Sequence, residues 1–491
     1  MSDERTLVAG TAANVVGLVF GVGAALGVQV LLGRTLAPGA FGLVTVAVQV
    51  AFVASAGTRF GMDMAAVRLV AIGRGAGAAD HLRSLVDRCV LVALGVSVLV
   101  AVALAAAAPL YGDYGRVVAL ASISIPFIAV TNVYLGATRG LRQMRQTLYV
   151  FWIGQPLLWI AFAGAAIASV DAGSRTDAAV LAYDASWLVA AIAAAALWRR
   201  DTRPFGLRPA TRAEVGAAVR FGAFRAPGAT LAQAVFWVDL WVLAAFEQGT
   251  ELDAYAGAAR VSQVLLLFLT SLSLVFSPFV ADLHARGQRE RLDELFKRST
   301  RWALTATIPL LIVLFVAAAD VLHAFSPRFE IGEWALRILL LGQMVNVATG
   351  SVGFILIMAG YTGLDLLDNA LAVSLIAGLA IVLTPAFGIE GTAAAAAIGV
   401  STPHLVRLVQ VRRRIGIQPY DSSYIRLVLP AGGALAASFA AHAALGDVWW
   451  ESLAVTTVFG VAAYAALLPL ALPRDERAVI SRHWHRLRGA A

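Results

Sequence analysis

Residues 89–112 read CVLVALGVSVLVAVALAAAAPLYG, 24 positions with no Asp, Glu, Lys or Arg between Arg88 and Asp113. As a helix rising 1.5 Å per residue, this run is about 36 Å long, enough to cross a hydrocarbon layer of about 30 Å. A soluble strand is about 5–6 residues, so the run is too long for one, and its only proline, Pro109, stands near its end. The stretch reads as a transmembrane helix.

Working outward, the same pattern recurs along the 491 residues. Charge-free runs cover 6–33, 41–58, 117–138, 146–170, 261–281, 302–319, 338–364, 369–389, 427–446 and 452–473. With 89–112 they make eleven clear spans. Three weaker ones carry a charge or are short: 178–198 with Asp184, 221–245 with Arg225 and Asp239, and 391–406. The expected fold class is an all-α polytopic membrane protein with about fourteen transmembrane helices. The composition agrees: 60% of residues are hydrophobic, only 14% are charged, and mean hydropathy is +0.79. A soluble domain carries about 25% charged residues.

The basic residues give the chain a direction. With the N-terminus inside and sides alternating, 31 of the 38 Lys and Arg fall in inner segments, four in outer turns and three within spans. Such a bias is the positive-inside signature, and both termini are expected in the cytoplasm of a multi-pass cell-membrane (plasma or inner membrane) protein. It also explains the net charge of +8: basic loops face anionic lipid headgroups, and nucleic acid is excluded as a partner. Cys89 is the only cysteine, which rules out an intrachain disulfide.

A 214-residue shift places Phe41 on Tyr255, Gln49 on Gln263 and Gly73 on Gly287. The common offset points to an internal repeat, a frequent device of membrane transporters. The expected organisation is an N-lobe at 1–200, a cytoplasmic linker at 201–220, a C-lobe at 221–415, and an appended helix pair with a basic tail at 416–491. In the second copy one helix is expected to run unbroken from about 253 to 282. Its partner then runs from about 41 to 69 and carries Arg59 and Asp63 inside the membrane.

No catalytic constellation is visible. His81, His284, His323, His404, His442, His483 and His485 are scattered, and no H-E-x-x-H, Walker or dinucleotide-binding pattern occurs. The run at 73–77, GRGAG, follows a membrane helix and reads as a flexible turn. Neither enzymatic activity, a metal site nor a resident cofactor is expected.

The informative residues are ionisable groups at membrane depth: Arg59, Asp63, Asp184, Arg225, Asp239, Arg260 and Arg337. A charge at the bilayer centre costs roughly 2.5–3.5 kcal/mol, so such groups face a cavity, pair, or snorkel to water. Snorkelling suits Arg225 and Arg337, which lie toward helix ends. Arg68 serves equally as a positive-inside anchor or as a ligand contact. Asp239 and Arg260 lie on neighbouring spans, and a salt bridge between them is the plainest structural account. Asn14, Gln29, Gln49, Gln233, Gln263, Gln343 and Asn346 either line a wet cavity or bond across helices. Arg59, Asp63, Arg68, Arg225, Arg260, Gln49 and Gln263 are the candidate substrate-binding residues. Asp239 is the candidate for coupling to Na+ or H+. A metal site shared with Asp368 and Asn369 is disfavoured by their different depth.

Several stretches, in order along the chain, resemble the polysaccharide (O-antigen-type) flippases of the multidrug/oligosaccharidyl-lipid/polysaccharide exporter superfamily. They are GMDMAAVRLVA at 61–71, DLW at 239–241, YAGAAR at 255–260, FSPRF at 325–329 and FGIEGTAAA at 387–395. The resemblance implies two pseudo-symmetric six-helix, MATE-like lobes around a central cavity that opens alternately to each side. It implies a polyprenyl-pyrophosphate-linked oligosaccharide as substrate, and other polysaccharide-assembly membrane proteins as partners. The physics fits: a glycan cannot cross hydrocarbon with unpaired hydroxyls, and arginine forks suit a pyrophosphate. Multidrug exporters are an alternative, but they usually stop at twelve spans and often carry an acid in the first helix. Lipid II flippases are another, but span 1 here lacks their arginines until Arg34. A glycan polymerase or ligase needs a large outer loop, and none is present.

Overall fold

The computed structural model of the chain describes residues 2–75, 80–206, 208–421, 424–444 and 448–471. Side chains are described for all of these except 2–16, 18, 74, 75, 274, 275, 277, 278 and 281. The Asn14 side chain, most of the 73–77 turn and the basic tail at 474–491 therefore lie outside the described residues.

Every regular element among the described residues is helical. In chain order they are α1 (Ser2–Thr35), α2 (Ala40–Thr58), α3 (Met62–Gly75), α4 (Leu82–Ala106), α5 (Gly115–Ala121), α6 (Ser124–Gly140), α7 (Met144–Thr147), α8 (Gln155–Ser169), α9 (Arg175–Asp201), α10 (Arg212–Ala234), α11 (Val238–Phe246) and α12 (Thr250–Ser262). There follow α13 (Leu266–Ala285), α14 (Arg289–Val316), α15 (Ala318–Phe325), α16 (Glu333–Thr349), α17 (Val352–Met358), α18 (Thr362–Arg414), α19 (Val428–Ala443) and α20 (Trp449–Ala471). Among the described residues nine helices are long and apolar enough to cross a membrane, or up to twelve if each bent pair is one span. The protein is thus a multi-span helical membrane protein. Large apolar side chains such as Leu99, Val102, Val382 and Val458 are exposed, as helices facing lipid require.

Helix α18 (Thr362–Arg414) shows how the sequence shapes this fold. The 53-residue α18 is broken at Gly388 (φ 56°, ψ −136°), a conformation open essentially to glycine alone. A straight helix would hold residues 42 positions apart at about 63 Å. Arg407 instead reaches Asp365 at 3.1 Å, and Thr392 meets Thr384 at 2.8 Å. The helix therefore doubles back at Gly388 into two antiparallel arms, each long enough to cross a bilayer.

By packing, the chain forms two compact units, Met1–Gly257 with Asn369–Thr392, and Ala258–Asp368 with Ala393–Ala491. In the first, small residues let helices touch backbone to backbone. A Cβ at Gly136 or Gly140 of α6 would run into the Asp63 and Val67 carbonyls of α3, and one at Gly222 of α10 would meet the Phe60 carbonyl and Met62. Helix α3 is thereby clasped between α6 and α10. In the second unit, Leu304, Ile308, Ile312 and Val316 form one face of α14, and the α19–α20 hairpin packs there through Ala434 and Tyr464.

One expectation is corrected. The helix over 41–69 is not continuous: α2 ends at Thr58, and both Phe60 (φ 51°) and Gly61 (φ 65°) leave the helical region. Its repeat partner is interrupted too, by a tighter turn at Gln263–Leu265. At Gly61 the close approach of α10 at Gly222 leaves no room for a Cβ, and the positive φ also favours glycine.

Candidate functional site

The break between α2 and α3 places the first group of candidates. Arg59 sits at the break and Asp63 in the first turn of α3, so four residues bring guanidinium and carboxylate to 3.7 Å. Both side chains are largely buried, at 13% and 18% exposure. A third charge joins them that sequence reasoning missed. The charge-free run 117–138 stops one residue short of Arg139. Arg139 lies in the last turn of α6, between Gly136 and Gly140, the two glycines seated on α3. Asp63 attracts it and Arg59 repels it. The Nε of Arg59 and of Arg139 are buried with no hydrogen-bond partner among the described residues. One carboxylate thus stands with two guanidiniums whose donors are not all used, an arrangement suited to an anion. The spacing Gly136-x-x-x-Gly140 was the signal that the helix continued through Arg139.

The other candidates fall around this group or away from it. Arg68, an exposed residue two turns along α3, lays its guanidinium over the Phe221 ring of α10 at 4.8 Å. Arg225, half-buried, lies one turn further along α10. Gln49 is buried in α2, about 15 Å of helical rise from Arg59, and is not part of the cluster. In the second unit, Arg260 is half-buried in the last turn of α12, and Gln263 lies in the turn that follows.

Asp239 opens α11 directly after the 56° bend that separates it from α10. The expected salt bridge with Arg260 gives way to a different partner. Tyr255 Oη donates to Asp239 Oδ2 at 2.6 Å, while Oδ1 has no hydrogen-bond partner among the described residues. Both groups are buried, Tyr255 completely. Asp368 is engaged elsewhere: Arg407 Nε lies 3.4 Å from it, and Gln410 donates to it at 2.9 Å. No group of three or more His, Cys, Asp or Glu able to hold a metal occurs among the described residues.

A second buried carboxylate was invisible to the span count, because Asp253 falls in the acidic turn ahead of α12's apolar part. It is fully buried and accepts from the backbone N–H of Gly39 at 2.7 Å and of Gly42 at 2.6 Å. Gly39 and Asp253 are 214 residues apart, the offset of the repeat. The first turn of α2 is thus capped by a side chain from the repeat-equivalent helix.

Outside the spans, Thr211 and Glu214 form a capping box at the start of α10. The Thr211 N–H holds the Glu214 carboxyl below the usual range, with further help from the Thr211 hydroxyl, Arg208 and His81.

Comparisons with known proteins agree with this architecture. A family model described as polysaccharide biosynthesis protein matches residues 7–284, and the MatE model matches 229–389. The chain is 23% identical over 163 residues to the probable low-salt glycan biosynthesis flippase Agl15 of Haloferax volcanii. That match covers 33% of this chain and 34% of the relative, so the two correspond over about a third of their lengths. Among solved structures, the lipid II flippase MurJ in an inward closed conformation superposes with a TM-score of 0.74 at 12% identity, over 96% of this chain and all of that one. An inward-facing multidrug resistance MATE family transporter of the MOP superfamily superposes with 0.69 at 14% identity, over 80% and 94% of the two chains. These likenesses establish the shared fold, and the match over more than half of the sequence establishes the family: the chain belongs to the polysaccharide biosynthesis protein family.

Proposed function

We propose that the protein is a flippase that moves a polyprenyl-pyrophosphate-linked oligosaccharide from the cytoplasmic to the outer leaflet by alternating access, for cell-surface polysaccharide biosynthesis. The observation that carries this reading is the Arg59–Asp63–Arg139 cluster at a helix break, in a family defined by polysaccharide biosynthesis. The substrate's three parts have separate needs. The prenyl chain stays in lipid, the glycan requires a wet path, and the pyrophosphate requires cations at membrane depth. In this proposal Arg59 and Arg139 bind the pyrophosphate, Arg68 and Arg225 guide it, and Arg260 with Gln263 receives it from the second repeat. Gln49 contributes a polar contact further along α2.

The protein is then a transporter with no catalytic residue. It resides in the plasma membrane with both termini cytoplasmic, beside the proteins that assemble and export the glycan. The proposed topology has fourteen spans: α1, the bent pairs, and the two arms of α18 each cross once. The organisation proposed from sequence stands beside it: lobes at 1–200 and 221–415, a linker at 201–220 and an added segment from 416. Single cysteines at Ser174 and Phe205, in a Cys89→Ala background, test the orientation. The first should label from outside and the second from inside, and the reverse overturns it.

Replacing Arg59 and Arg139 together with Ala should reduce glycan export at least tenfold with normal protein levels. Full export by that variant refutes the substrate role. A second reading, an ion-coupled exporter of drugs or other lipids, draws support from the MatE match over 229–389 and from the buried Asp239. Under either reading Asp239 is the proposed cation-coupling residue, for Na+ or H+. Drug resistance conferred without any effect on glycan export would favour the second.

A further inference from the structure

The α19–α20 hairpin packs on α14 through a seam that is not purely apolar. On α20, Ser452, Thr456, Gly460 and Tyr464 recur every four residues, share one face and are all buried. On α19 the buried stripe is Pro430, Ala434 and Ser438. A Cβ at Gly460 would stand 2.2 Å from Ser438 Oγ and 3.7 Å from Val313 Cγ2 of α14. Ser438 therefore fills the room that Gly460 leaves, and α14 closes the third side. The seam carries a hydroxyl at every turn of α20: Ser452, Thr456, Ser438 in the place of residue 460, and Tyr464. Successive turns are about 6 Å apart by rise.

Three of these hydroxyls are orphaned. Thr456 Oγ1, Ser438 Oγ and Tyr464 Oη are buried with no hydrogen-bond partner among the described residues. That is not the habit of this chain. Hydroxyls inside helices commonly donate to the carbonyl three or four residues back. Thr457, the next residue of α20, does so to Leu453 at 2.7 Å, and Ser271, Ser273 and Ser299 of the same unit do likewise. A buried hydroxyl left unpaired is destabilising, and three along one seam call for a common partner.

The fourth hydroxyl shows where that partner enters. Ser452 donates to Asp320 Oδ2 of α15 at 2.7 Å, and His442 Nδ1 of α19 lies 2.9 Å from Ser452 Oγ. The His442 side chain is 37% exposed, so this polar end of the seam reaches solvent. Deeper, exposure falls to zero at Thr456 and Ser438, which leaves no surface for a sugar or a lipid headgroup. A water molecule is small enough. Its two hydrogen bonds of about 2.8 Å span about 5.6 Å, close to the spacing of successive turns.

We propose that the seam within the α19–α20 hairpin, beside α14, is a water-binding site. Ordered waters enter past His442. One bridges Ser452 to Thr456, and another sits beside Gly460 and bridges Thr456, Ser438 and Tyr464. Each gains two or three polar partners, as buried waters in proteins do. The two arms of the hairpin are thus joined through water as well as through apolar contacts. The site stands whether or not the protein is a flippase.

The test reads sign as well as size. Thr456→Val, Ser438→Ala and Tyr464→Phe each delete a hydroxyl with little change of shape, and Thr456→Ser keeps it. Unfolding of the full chain is followed in mixed micelles with increasing SDS. Deleting a hydroxyl that is buried dry raises the midpoint; deleting one that is bonded to water lowers it. All three deletions should unfold at lower SDS than wild type, and Thr456→Ser should unfold with the wild type. The second arm uses thiol chemistry in a Cys89→Ala background. Ser438→Cys and Thr456→Cys should react with methyl methanethiosulfonate about tenfold faster, or more, than Ala303→Cys, because a thiol in apolar surroundings resists ionisation. Ala303 is a fully buried position in the apolar part of α14. Midpoints raised by the three deletions, or rates at Ser438→Cys and Thr456→Cys equal to that at Ala303→Cys, overturn the proposal.

Discussion

Replacing Asp253 tests the fold at its least expected joint. The residue is fully buried, and its two carboxylate oxygens accept from Gly39 N at 2.7 Å and Gly42 N at 2.6 Å. These are two of the four N–H groups that the start of a helix leaves unpaired, and Gly39 supplies no side chain to cap them. A hydrogen bond to a charged group contributes about 1.5–3 kcal/mol, and an anion at a helix N-terminus about 0.3–1 kcal/mol more. Asp253→Ala loses both bonds and leaves two buried donors, so it should cost about 3–7 kcal/mol. Asp253→Asn keeps one acceptor but turns an amide N–H toward the second backbone N–H, for a loss of about half that. Gly42→Ala attacks the same joint from the other side, because its Cβ would stand 2.7 Å from Leu252 Cγ and 3.2 Å from Asp253 Oδ1.

The assay is reversible unfolding in mixed micelles with increasing SDS, followed by tryptophan fluorescence, on the wild type and the three variants. The expected order of stability is wild type, then Asn, then Ala, with Gly42→Ala below wild type. The double variant Asp253→Ala/Gly42→Ala should lose less than the sum of the two, because both act on one contact. Asn and Ala variants that each lie within about 0.5 kcal/mol of wild type, the range of an ordinary surface substitution, would refute the capping role.

Other expectations follow from the same reasoning. Gly388→Ala should destabilise by about 1–3 kcal/mol through backbone strain alone, since a Cβ there would meet nothing within 4 Å; Gly378→Ala on the same helix, with equally open surroundings and helical geometry, should be neutral or slightly stabilising. Tyr255→Phe removes the donor to a buried carboxylate and should cost about 1.5–3 kcal/mol, while adding Asp239→Asn should recover part of it, as a double-mutant cycle in the same SDS titration would read. Glu214 has a depressed carboxyl in its capping box, so its contribution is complete above the ordinary glutamate value of about 4.3 and is lost as pH falls through the lower folded value. The melting-temperature difference between wild type and Glu214→Gln should therefore be constant above about pH 5 and vanish in stronger acid.

The spans were legible because each is a single long statement: about twenty apolar residues bounded by charge, repeated along the chain. The interruptions were not. Phe60 carries an aromatic side chain at φ 51°, a conformation that sequence rules reserve for glycine, asparagine or aspartate. The turn is packed against Gly222 of α10, some 160 residues away, where a Cβ would stand 2.3 Å from the Phe60 carbonyl oxygen. Arg139 was lost for a related reason. Ending each span at its first charge is sound for a helix that faces lipid, and fails for one whose charged residue faces another helix. The two glycines that flank Arg139 were the better guide, because a backbone-to-backbone contact continues through the residues between them.

The partner of Asp239 shows the same limit and carries a chemical consequence. From sequence, Arg260 was the natural choice, as the nearest opposite charge on a neighbouring span. The structure uses Tyr255 instead, a residue that reads as core. The two choices do different things to a carboxylate. An arginine cancels its charge and, with five donors in a fixed fork, occupies both oxygens. A phenol has one proton to give, satisfies one oxygen, and leaves the charge in place. Asp239 accordingly keeps Oδ1 without a hydrogen-bond partner among the described residues, at the bend between α10 and α11. A buried carboxylate held by one neutral donor is costly as a structural element, and a salt bridge or an apolar residue would serve packing better. It keeps an unused oxygen at a helix bend, which is the feature that the proposed cation-coupling role draws on.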